Sequence, residues 1–205
     1  MPIFHRRPSP PVYADYKRYK PLLREDFRYL CAYCLLHEGD ELGGGFQNFQ
    51  IDHFRPAKIF PDLVSTYSNL CYACRWCNRA KWDTWPSSEQ QKSDFRFVDP
   101  CVEDLYKSHA RLNASTGKLD AVSHPGDYTI REIRLNRKIF KDLRLRRIAA
   151  QEEIQQIKIR LARLKAEARP QTELISSLEN NIRLLDERYV NPKVPYEPAD
   201  LLPDK

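Results

Sequence analysis

Five of the chain's six cysteines fall at three-residue intervals in two clusters, Cys31-Ala-Tyr-Cys34 and Cys71-Tyr-Ala-Cys74-Arg-Trp-Cys77. That spacing constrains the fold more than any other feature. A C-x-x-C pair closes a tight knuckle, and two such pairs supply the four thiolates of a closed tetrahedral zinc site. Six cysteines in 205 residues are too few for a disulfide scaffold. Zinc would also add folding free energy to a small unit with little core of its own. The second cluster offers two overlapping pairs, because both Cys71 with Cys74 and Cys74 with Cys77 satisfy the spacing. His37 continues the first spacing as an alternative ligand, although a partly exposed loop position is the plainer reading. Cys101 has no partner and reads as structural.

The segments that accompany the cysteines are Ile51-Asp52-His53-Phe54-Arg55-Pro56 and the flanking asparagines of Asn69-Leu70-Cys71-Tyr72-Ala73-Cys74-Arg75-Trp76-Cys77-Asn78-Arg79-Ala80-Lys81. The joint pattern C-x-x-C, D-H-x-x-P, N-L-x-x-x-C-x-x-C-N-x-x-K resembles the HNH endonucleases, in the zinc-ribbon form with Asn in place of the final His. The resemblance covers about residues 28–83 and implies an α+β fold with a ββα-metal core, a two-stranded hairpin followed by a helix. It selects Cys31, Cys34, Cys74 and Cys77 as ligands of a structural Zn²⁺ and leaves Cys71 as a buried thiol behaving as a small hydrophobe.

Hydrolysing a phosphodiester needs a base for water, a cation for the developing charge and in-line placement. An imidazole ordinarily titrates near neutrality, and a carboxylate with an amide oxygen makes a hard site suited to Mg²⁺ or Mn²⁺. By resemblance His53 is the general base, Asp52 and Asn78 bind the catalytic cation that supports the leaving 3′ oxygen, and Asn69 steadies the loop and His53. Neighbouring residues of an ideal strand point to opposite faces, so Asp52 and His53 can share a target only where the strand ends, an ending that Arg55-Pro56 provides. Arg55, Arg75, Arg79 and Lys81 are candidates for gripping the nucleic-acid backbone beside the scissile phosphate. Trp82 and Trp85 read as packing residues.

The chain divides by composition into an HNH nuclease domain at 1–128, a basic helical hairpin arm at 129–189 and a Pro-rich tail at 190–205. Of the net charge of +6, the excess sits in the middle: residues 129–169 carry 13 basic and 5 acidic groups. From Thr129 to Ala168 there is no Gly or Pro, and Phe140, Leu143, Ala150, Ile154, Ile157, Leu161, Leu164 and Ala168 recur at three-and-four spacing with Arg147 intruding, which predicts one long helix. A second helix follows Pro170. The apolar stripe of the first is longer than the second can cover, and this predicts self-association or a protein partner. Thr129-Ile130-Arg131-Glu132-Ile133-Arg134-Leu135-Asn136-Arg137 resembles, more weakly, the downstream segment of small bacterial HNH proteins associated with ATPases in antiphage defence. Elsewhere a helix is predicted from Pro21 to Leu30, with short strands at Phe49–Ile51, Phe95–Phe97 and Leu119–Val122. No apolar run approaches the roughly 20 residues of a membrane span, and the start MPIFHRRPSPP has no apolar signal core, so the expectation is a cytoplasmic protein. The expected activity is metal-dependent cleavage of nucleic acid, DNA before RNA. The competing class is a zinc-stabilised nucleic-acid-binding or assembly module without cleavage.

Overall fold

A computed structural model describes residues 2–40, 44–166 and 171–190, and it is α+β, with two small antiparallel hairpins among helices. Ala168, Pro170 and residues 191–205 lie outside the described residues. Helix α1 (Lys20–Asp26) has Pro21 in its first turn, where the missing N–H costs nothing. It ends before Leu30, because Arg28 and Tyr29 take positive φ and turn the chain into the first cysteine pair. Strands β1 (Phe49–His53) and β2 (Leu70–Cys74) pair antiparallel, with Phe49 opposite Cys74 and His53 opposite Leu70. Helix α2 (Arg75–Lys81) follows β2 without a linker, which gives the ββα order.

All five residues of β2 are buried, so this strand is the centre of the core rather than half of a surface ribbon. Phe49 stacks on Tyr72 at 4.9 Å, and the Ala32 N–H donates to the Tyr72 carbonyl at 2.8 Å, which pins the first cysteine loop to β2. Beneath them Arg24 of α1 donates to Glu38 through Nε (2.8 Å) and a terminal nitrogen (2.5 Å), and the Tyr72 hydroxyl donates to the same carboxylate at 2.5 Å. Both charged groups are almost wholly buried. Such a pair adds little net stability, but removing either partner strands a charge in the core, so it enforces one way of packing α1 on β2.

After the short helix α3 (Ser88–Lys92), no strand forms at Phe95–Phe97. Phe95 instead stacks on His124, and Phe97 packs edge-on to Tyr128. A second hairpin, β3 (Ala110–Leu112) and β4 (Leu119–Ala121), leads into helices α4 (His124–Glu132) and α5 (Lys138–Lys165), with α6 (Thr172–Leu185) after them.

The helix predicted over 129–168 is therefore broken at 133–137. No Gly or Pro signals this, because the cause is tertiary. Ile133 and Leu135, two positions apart, are both fully buried in the main core, and Arg134 between them takes φ +56°. Asn136 then acts as an edge partner for β4, accepting from the Leu119 N–H and donating to the Leu119 carbonyl, both at 2.8 Å. Arg144, buried on α5, locks the same turn by donating to the carbonyls of Gly117 (2.6 Å) and Leu135 (2.9 Å). Gly117 has φ +68°, and a Cβ there would stand 2.4 Å from the Lys141 carbonyl. The break lies past the 128/129 division, and the main core continues through it to Phe140 and Leu143.

The apolar stripe of α5 also departs from expectation. Phe140 and Leu143 belong to the main core, Ala150 and Ile154 are buried, and Leu161 and Leu164 form a second cluster with Leu178 of α6. Among the described residues the stripe is covered by the chain itself, so it no longer argues for an outside partner. Asn136→Ala should destabilise the protein by about 2 kcal/mol in urea unfolding, because it leaves a buried N–H and C=O of β4 unpaired. A change below about 0.5 kcal/mol would mean that the break is held elsewhere.

Candidate active site and metal centre

The Sγ atoms of Cys31, Cys34, Cys74 and Cys77 lie within 4.8 Å of one another, all buried. Sulfurs tetrahedral about zinc at roughly 2.3 Å stand roughly 3.8 Å apart, and those of Cys34 and Cys74 are 3.7 Å apart. The donor set fits a structural metal such as zinc. Zinc takes cysteine as the thiolate, so metal uptake by these thiols would release protons.

The ambiguity of the second cluster resolves on β2 itself. Cys71 and Cys74 are three positions apart on a strand and face opposite ways, whereas Cys77, one turn into α2, returns to the side of Cys74. Cys71 instead accepts a hydrogen bond from Arg6 at 3.3 Å. His37 is outside the cluster and is not an exposed loop residue. It is 6% exposed, its Nδ1 accepts from the Gly39 N–H at 2.9 Å, and burial pushes its imidazole down to about 4 against the pull of Glu38.

Across the hairpin, Asp52, His53 and Asn78 line one cleft of about 350 Å³, together with Tyr16 and Asp83. Asp52 is 3% exposed and sits between two donors, with the Tyr33 hydroxyl at 2.5 Å and Lys81 Nζ at 3.2 Å. Burial raises its carboxyl above the usual value, opposed by the Lys81 charge and the Tyr33 hydrogen bond. His53 is the last residue of β1, as the strand-end argument requires, and its Nε2 is 2.9 Å from the Val64 carbonyl. A carbonyl only accepts, so Nε2 carries a proton, and in the neutral imidazole the lone pair lies on Nδ1. The Tyr16 ring meets the imidazole edge-on at 4.7 Å.

Asn69 bridges the loop between the strands. Its Oδ1 accepts from the Arg55 N–H at 2.9 Å, and its Nδ2 donates to the Arg55 carbonyl at 3.0 Å and the Leu63 carbonyl at 3.3 Å, next to the Val64 carbonyl that holds His53. Asn78 lies in the middle of α2, which begins at Arg75, and donates Nδ2 to Gln50 of β1 at 2.7 Å. Its amide oxygen accepts no hydrogen bond from a described residue. Asp52 and Asn78 both line the cleft, but both carboxylate oxygens of Asp52 are already engaged, by Tyr33 and Lys81.

One sequence assignment is overturned. Lys81 does not face a nucleic-acid backbone: it is fully buried, and its ammonium is held by Asp52 and, at 2.7 Å, by the His53 carbonyl. A buried ammonium persists only when its charge is answered, and Asp52 answers it. Arg55, Arg75 and Arg79 are exposed. The sequence reading missed Tyr33, Tyr16 and Asp83, none of which stands in the motif pattern, and no spacing signal marks them.

Residues 31–84 match the model of the HNH endonuclease family. No curated protein and no solved structure matches the chain. The matched segment contains both cysteine pairs, the ββα unit and, Tyr16 apart, the residues that line the cleft, so this part of the chain is similar to an HNH endonuclease domain.

One zinc per chain is expected in the purified protein by elemental analysis. Cys74→Ser should give zinc-free, poorly folded protein, while Cys71→Ser should keep the metal. Loss of zinc in Cys71→Ser with retention in Cys74→Ser would reverse the ligand assignment.

Proposed function

We propose that the chain hydrolyses phosphodiester bonds of nucleic acid at the cleft between β1 and α2. The observation that carries this reading is the His53 imidazole, its Nε2 committed to the Val64 carbonyl at 2.9 Å and its Nδ1 without a hydrogen-bond partner among the described residues, in the cleft lined by Asp52 and Asn78. His53 takes the proton from an attacking water at Nδ1. Asn69 acts as a positioning residue, fixing the Arg55–Leu63 loop whose next carbonyl sets the imidazole tautomer and angle. Asp52 and Asn78 would hold Mg²⁺ or Mn²⁺, which when bound supplies charge stabilisation at the scissile phosphate and its leaving oxygen. Lys81 and Tyr33 keep the Asp52 carboxylate in one orientation. Arg55, Arg75 and Arg79 bind flanking phosphates.

The finer assignments are carried from the sequence: DNA in preference to RNA goes with the motif pattern, an antiphage role beside an ATPase partner with the likeness of residues 129–137, and a cytoplasmic setting stays a sequence expectation. A homo-oligomer through the arm was expected from the α5 stripe, and it loses that support because the chain covers the stripe itself. A second reading, binding without cleavage, is favoured by one observation: Asp52 is already engaged by Lys81 and Tyr33, and a cation must share it.

Cleavage of a labelled oligonucleotide in Mg²⁺ separates the two readings. His53→Ala should lower the rate at least ~100-fold, with zinc content and melting temperature nearly unchanged. Asp52→Ala and Asn78→Ala should regain part of their activity at high Mn²⁺. A His53→Ala protein that cuts at the wild-type rate would remove His53 from the reaction, and a zinc-loaded wild-type protein that binds without cutting would establish the second reading.

A further inference from the structure

Beside the catalytic cleft, and sharing Asn78 and Trp82 with it, lies a larger groove of about 1000 Å³ along α2. Four arginines line it. Arg75 and Arg79 come from α2, and Arg134 and Arg137 come from the α4–α5 break, beyond the segment that matches the HNH family. Arg137 is fastened by donating to the carbonyls of Arg134 (3.1 Å), Ile133 (3.3 Å) and Trp76 (3.4 Å), the last of which ties the break to α2. Arg134 and Arg79 are exposed. No carboxylate of a described residue lines this groove.

Trp82, at the end of α2, is 72% exposed, although the sequence marks it as a packing residue. It lines this groove, the catalytic cleft and the neighbouring depression over Gln47 and Phe49. Its backbone is at φ +45°, and that of Arg134 is at φ +56°. Of the six non-glycine residues with positive φ among the described residues, these two line the groove, and both are types for which glycine would be the easier choice. Neither strained position is repaid by burial of its side chain, which directs attention to what the side chains do in solution.

We propose that this groove binds a single nucleic-acid strand, with an unpaired base stacked on Trp82 and the following phosphates on Arg79, Arg75 and Arg134. An exposed aromatic face beside a row of cations is how strands are held without sequence preference. A base paired within a duplex has no free face for Trp82, so the substrate is a single strand or a locally opened one. The proposal rests on the cleavage reading for the direction in which the strand runs, toward His53, but its binding claim stands separately.

The test is fluorescence anisotropy in zinc-loaded protein with Ca²⁺ in place of Mg²⁺, using a 12-nucleotide single-stranded DNA, the RNA of the same sequence and the DNA duplex. Glycine replacements separate binding from folding, because glycine suits both backbones. Trp82→Gly and Arg134→Gly should melt no lower than wild type. Trp82→Gly should weaken single-strand binding about tenfold or more and duplex binding little. Arg134→Gly should weaken binding to all three probes and reduce the salt slope by roughly 0.7 for single strands. Tighter binding of DNA or of RNA assigns the sugar. Single-strand affinity unchanged in both variants, or equal loss on duplex and single strand in Trp82→Gly, overturns the proposal. Wild-type binding through these residues without any cleavage in Mg²⁺ would leave the groove in place and sink the catalytic reading instead.

Discussion

The four-thiolate cluster is the constraint on which the remaining geometry depends. A two-stranded hairpin of five-residue strands is marginal by itself. Cys31 and Cys34 lie just after α1, and Cys74 and Cys77 straddle the β2–α2 junction, so a metal held by the four thiols would join three elements at the point where the strand becomes the helix. Structural zinc in small sites contributes on the order of 10 kcal/mol. With the junction fixed, α2 can leave β2 in one direction only, and that direction brings Asn78 to Gln50 and Lys81 to Asp52.

Two buried polar groups then define the hairpin. On one side, Arg24 and Tyr72 converge on Glu38, and on the other, Tyr33 and Lys81 converge on Asp52. A shift of β1 against β2 by one residue would break the second group and turn Asp52 outward, since side chains alternate along a strand. These ionic contacts therefore act on register more than on net stability. The register, in turn, leaves His53 at the strand end, where the Val64 carbonyl can select its tautomer.

The sequence made the metal centre legible because a knuckle is a local object: C-x-x-C spacing carries its own geometry. Asp52, His53, Asn69 and Asn78 were legible as a joint pattern, and they converge on one cleft and the loop beside it. In the sequence Lys81 reads as a surface cation because a lysine ending a helix is usually solvated, and only the fold brings the Asp52 carboxylate beneath it. The 133–137 break was invisible for a related reason. Ile133 and Leu135 fit a helical stripe poorly, but only their shared burial and the bond pair from Asn136 to Leu119 make leaving the helix favourable. In the sequence Trp82 reads as packing because aromatic residues usually are buried, and its exposure follows from a backbone turn at the end of α2 that no local signal specifies.

The proposed reaction is hydrolysis by a water activated at His53 Nδ1, with expulsion of the 3′ oxygen. Its most direct test is the chemistry of the ends produced by zinc-loaded wild-type protein in Mg²⁺ from an oligonucleotide labelled at each terminus. Water attack at phosphorus with loss of the 3′ oxygen predicts 5′-phosphate and 3′-hydroxyl ends, with solvent ¹⁸O in the 5′-phosphate. Products ending in 3′-phosphate or a 2′,3′-cyclic phosphate, or no cleavage by fully metallated protein, would contradict it.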